Sequence, residues 1–498
     1  MKPGMTLLHL VCLGILSTTA VSAEVKLSSI YSDHMILQRN LPVVVRGSAD
    51  SDEMVSVTFR GETRKVTPDK FGRWETAMSP GTAGGPFIME VKGKNSIRVS
   101  DILVGDVWVA SGQSNMEFFT SGVINAEAEL KTANLPKIRL LRILPVTSPY
   151  PLDDLSAIPW VVCSPVAAAH FSAVAFFFGR EVQSDQKVPI GLIDSTWGGT
   201  PVEAWTSVRA LAEDASLMPA FAYWAHVMDD ESKLIPEKAY ENLQSDLAIQ
   251  RGLPKPELPD HPDMLARSTP GGLYNAMIAP LTHFPIRGVI WYQGESNGSV
   301  EQAPHYARLF QTLIQDWRRN WAEGDFPFLY VQLANLKTNL GDGWPEVREA
   351  QRESLVLKNT GMVVTIDIGD PEAVHFADKQ DVGHRLALVA RAIAYHEPIE
   401  YSGPLFRMQS RDDQALRIWF DHSEGLMAKG VILKGFQIAG KDGKFLPADA
   451  QIDGQCVIVS NREILEPAIV RYAWKDNPGG NLYNGAGLPA SPFQSRKY

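Results

Sequence analysis

From Asp101 to about residue 400, short apolar runs alternate with longer amphipathic stretches, and this alternation constrains the fold more than any other feature of the chain. Val107 to Ala110, Ile190 to Ile193, Gly288 to Tyr292, Phe328 to Leu333 and Met362 to Ile366 read as buried strands. Ser172 to Asp185, His305 to Trp321 and Asp381 to Tyr395 read as helices. Strands that alternate with helices bury their apolar faces as a parallel sheet covered on both sides. The expected fold is therefore α/β, and in such sheets reactive groups collect beyond the carboxyl ends of the strands. A stretch from about Leu211 to Ser268, rich in Ala, Glu, Lys and Pro, interrupts the alternation and reads as a helical insertion.

The flanks have a different character. Over residues 24–100, short β runs at Met35 to Leu37, Leu41 to Val45, Val55 to Phe59 and Ser96 to Val99 are separated by turn residues, which predicts a small β-sandwich. Over residues 401–498, Leu416 to Phe420, Val431 to Leu433, Cys456 to Ser460 and Ile469 to Tyr472 predict a second β domain. The division is thus 24–100, 101–400 and 401–498, in line with about three domains for a chain of 498 residues.

Residues 1–23 have the form of a cleavable export signal. Lys2 precedes the apolar run Met5 to Ile15, and Val21-Ser22-Ala23 places the cut after Ala23. The run is too short to span a bilayer. The expectation is a periplasmic or secreted protein without a membrane span. A formal charge of -10 argues against a nucleic-acid partner, which requires a basic face. Cys163 and Cys456 remain after the leader; their spacing suits no metal site, and a disulfide and two buried thiols are both open.

Four segments at successive predicted strand ends carry the groups suited to chemistry. Ser114, in Gly112-Gln113-Ser114-Asn115-Met116, follows a strand through a glycine and is expected to open a helix. Read alone, it is a helix cap; with a base beside it, it is a nucleophile. Met116 stands where G-x-S-x-G requires glycine, which disfavours an ordinary nucleophile elbow. Gly198-Gly199 follows the strand at Ile190, and paired glycines there form either a plain turn or a loop that directs an N–H into a site. In Gln293-Gly294-Glu295-Ser296-Asn297, Gln293 or Asn297 is a candidate oxyanion donor, while Glu295 is read as bracing neighbouring loops, with a catalytic role as the alternative. In Asp370-Pro371-Glu372-Ala373-Val374-His375, the histidine is the candidate base, and Glu372 is placed to hold its other nitrogen. His384, inside the predicted helix, is expected to face solvent.

The order of these segments resembles the sialate O-acetylesterase group of the SGNH-type hydrolases. The likeness extends to Ser32 to Arg39, Gly105 to Trp108, Lys379 to Leu388, Val470 to Trp474 and Asn481 to Asn484. It implies a flavodoxin-like α/β/α hydrolase core. It further implies Ser114 as nucleophile, His375 as base, and the Ser114 N–H, Gly199 and Gln293 as the oxyanion hole. Members of the group often carry Asp three residues before the histidine and Pro after it; this chain has Glu372 and Phe376, and the alternatives are Asp370 as the acid or a Ser–His dyad in which a backbone carbonyl takes the acid's place. The activity implied is hydrolysis of O-acetyl esters of a sugar, sialate first and acetylated xylan or another polysaccharide as the alternative, by an acyl-enzyme route requiring no metal or organic cofactor. A non-catalytic carbohydrate-binding protein is the remaining reading.

Overall fold

The computed structural model describes residues 24–226, 267–337 and 343–495. The predicted leader and residues 227–266 of the predicted insertion lie outside the described residues. The insertion's described start is helical, with helices at Val208–Ala212 and again over 218–226.

The central sheet is built from β1 (Ser96–Gly112), β2 (Leu135–Ile143), β3 (Ala157–Cys163), β4 (Ile190–Thr196), β5 (Gly288–Tyr292), β6 (Phe328–Val331) and β7 (Thr360–Val363). Their order is β3-β2-β4-β1-β5-β6-β7, and β3 alone among them pairs antiparallel. After β1 the chain builds one half of the sheet, and after β4 it crosses to build the other. The carboxyl end of β1 therefore lies at the switch point where the two halves diverge, the usual location of a ligand crevice.

Alternate residues of each strand face opposite layers. On one side Trp108, Ala110, Leu192, Ile290 and Leu329 pack against α2 (Ala173–Gln186) and α5 (Lys379–Ile393). On the other, Val107, Val109, Ile193, Trp291 and Tyr330 pack against α3 (Ala303–Trp321) and α4 (Gly343–Glu353). Helix α3 follows from its sequence. Tyr306, Leu309, Phe310, Leu313, Ile314, Trp317 and Trp321 recur at helical spacing and are buried. Pro304 lies in the first turn, Arg318 and Arg319 oppose the dipole at the last turn, and Ala322 ends the helix in a left-handed conformation. Trp291 meets Trp317 and Trp205 edge-on at 5.8 and 6.1 Å, which fills the centre of this layer.

The change of character at Asp101 falls inside one strand of 17 residues. Residues 96–104 of β1 pair with the N-terminal strand Gly84–Lys92, and residues 106–112 pair with β4. Asp101 itself adopts φ +54°, held by Arg139, whose guanidinium donates to both carboxylate oxygens at 2.6 and 3.1 Å. One β strand thus runs from the N-terminal sheet region into the α/β core.

After residue 400, Leu405–Asp412, Ala415–Asp421, Cys456–Ser460 and Asp449–Asp453 form one sheet, and Phe436–Ala439, Ile469–Tyr472 and two short strands form another. The strand expected over Val431 to Leu433 is absent. Its apolar residues do not alternate, and Val431 is 100% exposed. Cys163 and Cys456 are both buried free thiols. Burial pushes the Cys163 thiol up to about 12.

Candidate active site

At the end of β1 the backbone bends where no side chain fits. Gly112 has φ +129°, and a Cβ there would sit 2.1 Å from the Tyr292 carbonyl oxygen. The next amide, of Gln113, donates to that same carbonyl at 3.0 Å. The chain is pinned against β5 and then turns into α1, which spans only Ser114–Glu117. Ser114 does not cap this helix. Gln113 occupies the cap position without a side-chain bond, and Ser114 Oγ lies 2.7 Å from His375 Nε2.

The imidazole is delivered by the loop between β7 and α5. Desolvation first, and the nearby Lys379 ammonium second, hold its pKa below the ordinary histidine value. Both favour the neutral ring, the form that accepts a proton. The acids expected behind it are engaged elsewhere. The Glu372 carboxylate is exposed and ion-paired with Lys337, and its backbone N–H donates to Asp370 Oδ1 at 2.9 Å. Among the described residues, neither carboxylate is hydrogen-bonded to His375. The physical reason is reach: the turn from Asp370 to Ala373 closes on itself and directs Glu372 outward. His384 lies on α5 as expected, exposed and paired with Glu181 at 2.9 Å.

Of the expected oxyanion donors, two backbone groups have the required freedom. The Ser114 N–H begins a helix, where no helical carbonyl accepts it. Gly199 has φ +71°, in the loop after β4. Among the described residues, neither N–H has a protein acceptor. Gln293 differs from expectation. It is fully buried, and its amide donates to the Thr200 carbonyl at 3.1 Å and to Asn297 Oδ1 at 2.8 Å, while Tyr306 donates to its oxygen at 2.9 Å. Both amide hydrogens are committed, so Gln293 braces the glycine loop instead of pointing a free donor at the nucleophile. Asn297 completes the brace, accepting from the Val202 N–H at 3.0 Å and donating to Glu203 at 2.9 Å.

Three further groups converge here that the four segments did not single out. Glu117, at the end of α1, accepts the Gly198 N–H at 2.7 Å. Arg267 donates to the Gly198 carbonyl at 3.0 Å, and its Nε is buried without a partner. Lys379 lies wholly buried at the start of α5. Glu117 and Arg267 carry no local pattern that would mark them; Lys379 falls in a segment quoted above for its likeness and not for its chemistry.

The geometry is that of a serine hydrolase, and comparison with known proteins narrows it to an esterase. Residues 264–392 match the family described as carbohydrate esterase, sialic acid-specific acetylesterase. The sialate O-acetylesterase of Rattus norvegicus is 32% identical over 95% of this chain and 94% of its own length. That of Homo sapiens is 32% identical over 99% and 96%. A crystal structure of a carbohydrate acetylesterase from Xanthomonas citri superposes with a TM-score of 0.83, at 36% identity, covering 95% of this chain and 100% of its own. With the Ser–His pair, the α/β/α core and a likeness that runs nearly end to end, the chain belongs to the sialate O-acetylesterase family of carbohydrate esterases.

Proposed function

We propose that this protein is an exported serine esterase that removes O-acetyl groups from sialic acids. The observation that carries the reading is the 2.7 Å contact of Ser114 Oγ with His375 Nε2 beside two free backbone donors. Ser114 attacks the acetyl carbonyl as His375 takes its proton. The Ser114 and Gly199 N–H groups receive the developing oxyanion. His375 returns the proton to the departing sugar hydroxyl, leaving an acetyl-enzyme. Water deprotonated by the same histidine then releases acetate and restores the serine.

An acidic sugar is supported by Arg267. Among the described residues no carboxylate pairs with its guanidinium, which lies against the Gly198–Gly199 loop. Arg142, a second arginine near this loop among the described residues, already faces Glu117 and Asp194 at 3.9 and 4.0 Å. Export is supported by residues 1–23 and predicts a mature protein that begins at Glu24.

The deciding experiment measures acetate released from an O-acetylated sialic acid and from acetylated xylan by wild type, Ser114→Ala and Arg267→Gln. Expected are selective release from the sialate, loss of about three orders of magnitude or more in Ser114→Ala, and a raised KM for the sialate alone in Arg267→Gln. Equal release from both substrates overturns the sialate assignment; wild-type rates in Ser114→Ala overturn the mechanism.

A further inference from the structure

Among the described residues no acid is bonded to His375, so its imidazole must be held by other means. Here the loop that carries His375 is held one residue earlier. Asn115 Nδ2 donates to the Val374 carbonyl at 3.0 Å, and to Glu295 Oε1 at 2.6 Å. Its Oδ1 accepts from Lys379 Nζ at 2.6 Å. Asn115 is 2% exposed and Lys379 0%. A single carboxamide thus stands between a carboxylate and an ammonium, with its donor end toward the anion and its acceptor end toward the cation. The two charges fix which way the amide faces, and that orientation leaves an N–H for Val374.

We propose that Asn115, Glu295 and Lys379 are positioning residues that hold the Ser114–His375 pair in register and, through the buried Lys379 ammonium, keep His375 unprotonated. The inference rests on Ser114 and His375 being the reacting groups. Asn115 adjoins the nucleophile on α1, Glu295 comes from the loop after β5, and Lys379 opens the helix that follows the histidine, so the network ties together three of the four segments that build the site. Lys379 Nζ stands 3.7 Å from the centre of the Phe376 ring, which makes a favourable site for a cation and excludes water from it.

Among the described residues, few titratable groups surround Lys379. Glu295 faces it from the β5 loop, Tyr292 from the end of β5 with its ring centre 5.6 Å away, and Asp378 from the cap of its own helix. His375 precedes it by four residues and has its pKa lowered by the Lys379 charge, while Glu372 of the same loop is exposed and pairs with Lys337 from the loop after β6. Burial lowers the Lys379 ammonium to about 7, and Glu295 opposes that shift. Removing the cation removes a repulsion on imidazolium, so the histidine pKa must rise.

The test uses the full-length mature protein and p-nitrophenyl acetate, a substrate without a sugar. The acid limb of kcat/KM is expected to move upward by about half a pH unit or more in Lys379→Met, since like charge in partly buried surroundings has effects of this size. Lys379→Arg, which keeps the charge, is expected to retain the wild-type limb. Asn115→Asp is isosteric but cannot donate to Val374 and repels Glu295. It is expected to lower kcat about tenfold or more at a KM within about twofold of wild type, the mark of an interaction felt in the transition state. An unmoved acid limb in Lys379→Met, or wild-type kcat in Asn115→Asp, overturns the proposal. If Lys379→Met does not fold, nitrogen-15 NMR titration of His375 in the wild type decides, and an imidazole pKa at or above the ordinary value overturns it. A failed esterase reading is distinguishable, because it alone leaves Ser114→Ala as active as wild type.

Discussion

Glu117 shows how one side chain sets the geometry of an oxyanion hole it never touches. Its carboxylate accepts the Gly198 N–H at 2.7 Å, which fixes the loop that presents Gly199, and it sits on the same short helix as Ser114. Glutamine keeps an acceptor of the same reach, whereas alanine frees the loop. Glu117→Gln is expected to stay within a few-fold of wild-type kcat and Glu117→Ala to fall about ten- to a hundred-fold, less than the roughly hundred- to thousand-fold cost of removing an oxyanion donor outright; equal values for the two variants would refute the strut. Asp194 lies on the neighbouring strand end, and its influence is on stability. Burial pushes its carboxyl up to about 7, with the bond from Thr196 and the charge of Arg142 at 4.0 Å opposing that rise. The folded state then holds a proton that the unfolded chain releases above about 4. Stability from this group is full below that value and is lost as pH rises through about 7. Wild type is expected to lose melting temperature relative to Asp194→Asn between about pH 5 and pH 8. A constant difference between the two proteins across that range would show that Asp194 ionises normally.

At the scale of elements, the same forces explain what could be read in advance. The alternation of buried strands with helices is a period in the sequence, so α3 and α5 emerge within two residues of expectation, at Ala303–Trp321 and Lys379–Ile393. Ser114, Gly199 and His375 were legible because each follows a strand of that pattern. Glu372 and Gln293 were legible only as types, since nothing in a linear spacing says whether a carboxylate turns toward an imidazole or toward Lys337, or whether an amide has already spent its hydrogens on Thr200 and Asn297. Val431 to Leu433 misled because apolar content without alternation does not specify burial. The β1 terminus carries the sharpest element-scale prediction. Gly112→Ala forces a side chain to within 2.1 Å of the Tyr292 carbonyl oxygen at φ +129°. The strand must separate from β5, and a loss of about 3 kcal/mol or more is expected, as for other special backbone positions. A melting temperature in Gly112→Ala equal to wild type would contradict the close approach.

The whole molecule is joined at both ends of the hydrolase core, and the C-terminal joint runs through one buried arginine. Arg348, on α4, is fully buried and donates to the carbonyls of Leu333 at 2.8 Å and Ala334 at 2.6 Å in the core. It also donates to those of Lys475 and Asp476, both at 2.7 Å, in the C-terminal region. Burial pulls its pKa down to about 9, with the Asp476 charge opposing that fall. Gln332 adds a bond to Ser491 at 2.9 Å, and Tyr483 reaches Asp367 at 3.3 Å, which itself pairs with Arg385. Asp367 and Leu333 lie at the strand ends that lead into the site, so the C-terminal sheets are braced against the loop that carries His375. Methionine at 348 fills much of the volume but leaves those carbonyls without donors. The expected cost is about 3 kcal/mol or more, because hydrogen bonds from a buried charge are worth more than neutral ones and their loss strands the acceptors. Lysine can satisfy only part of the set and should fall between. Calorimetry of Arg348→Met is expected to divide one cooperative transition into two, with the C-terminal region melting first. The loss of esterase activity should follow that first transition and not the second. One unaltered transition, or activity that outlasts the melting of the C-terminal sheets, would show that the core holds its histidine loop without them.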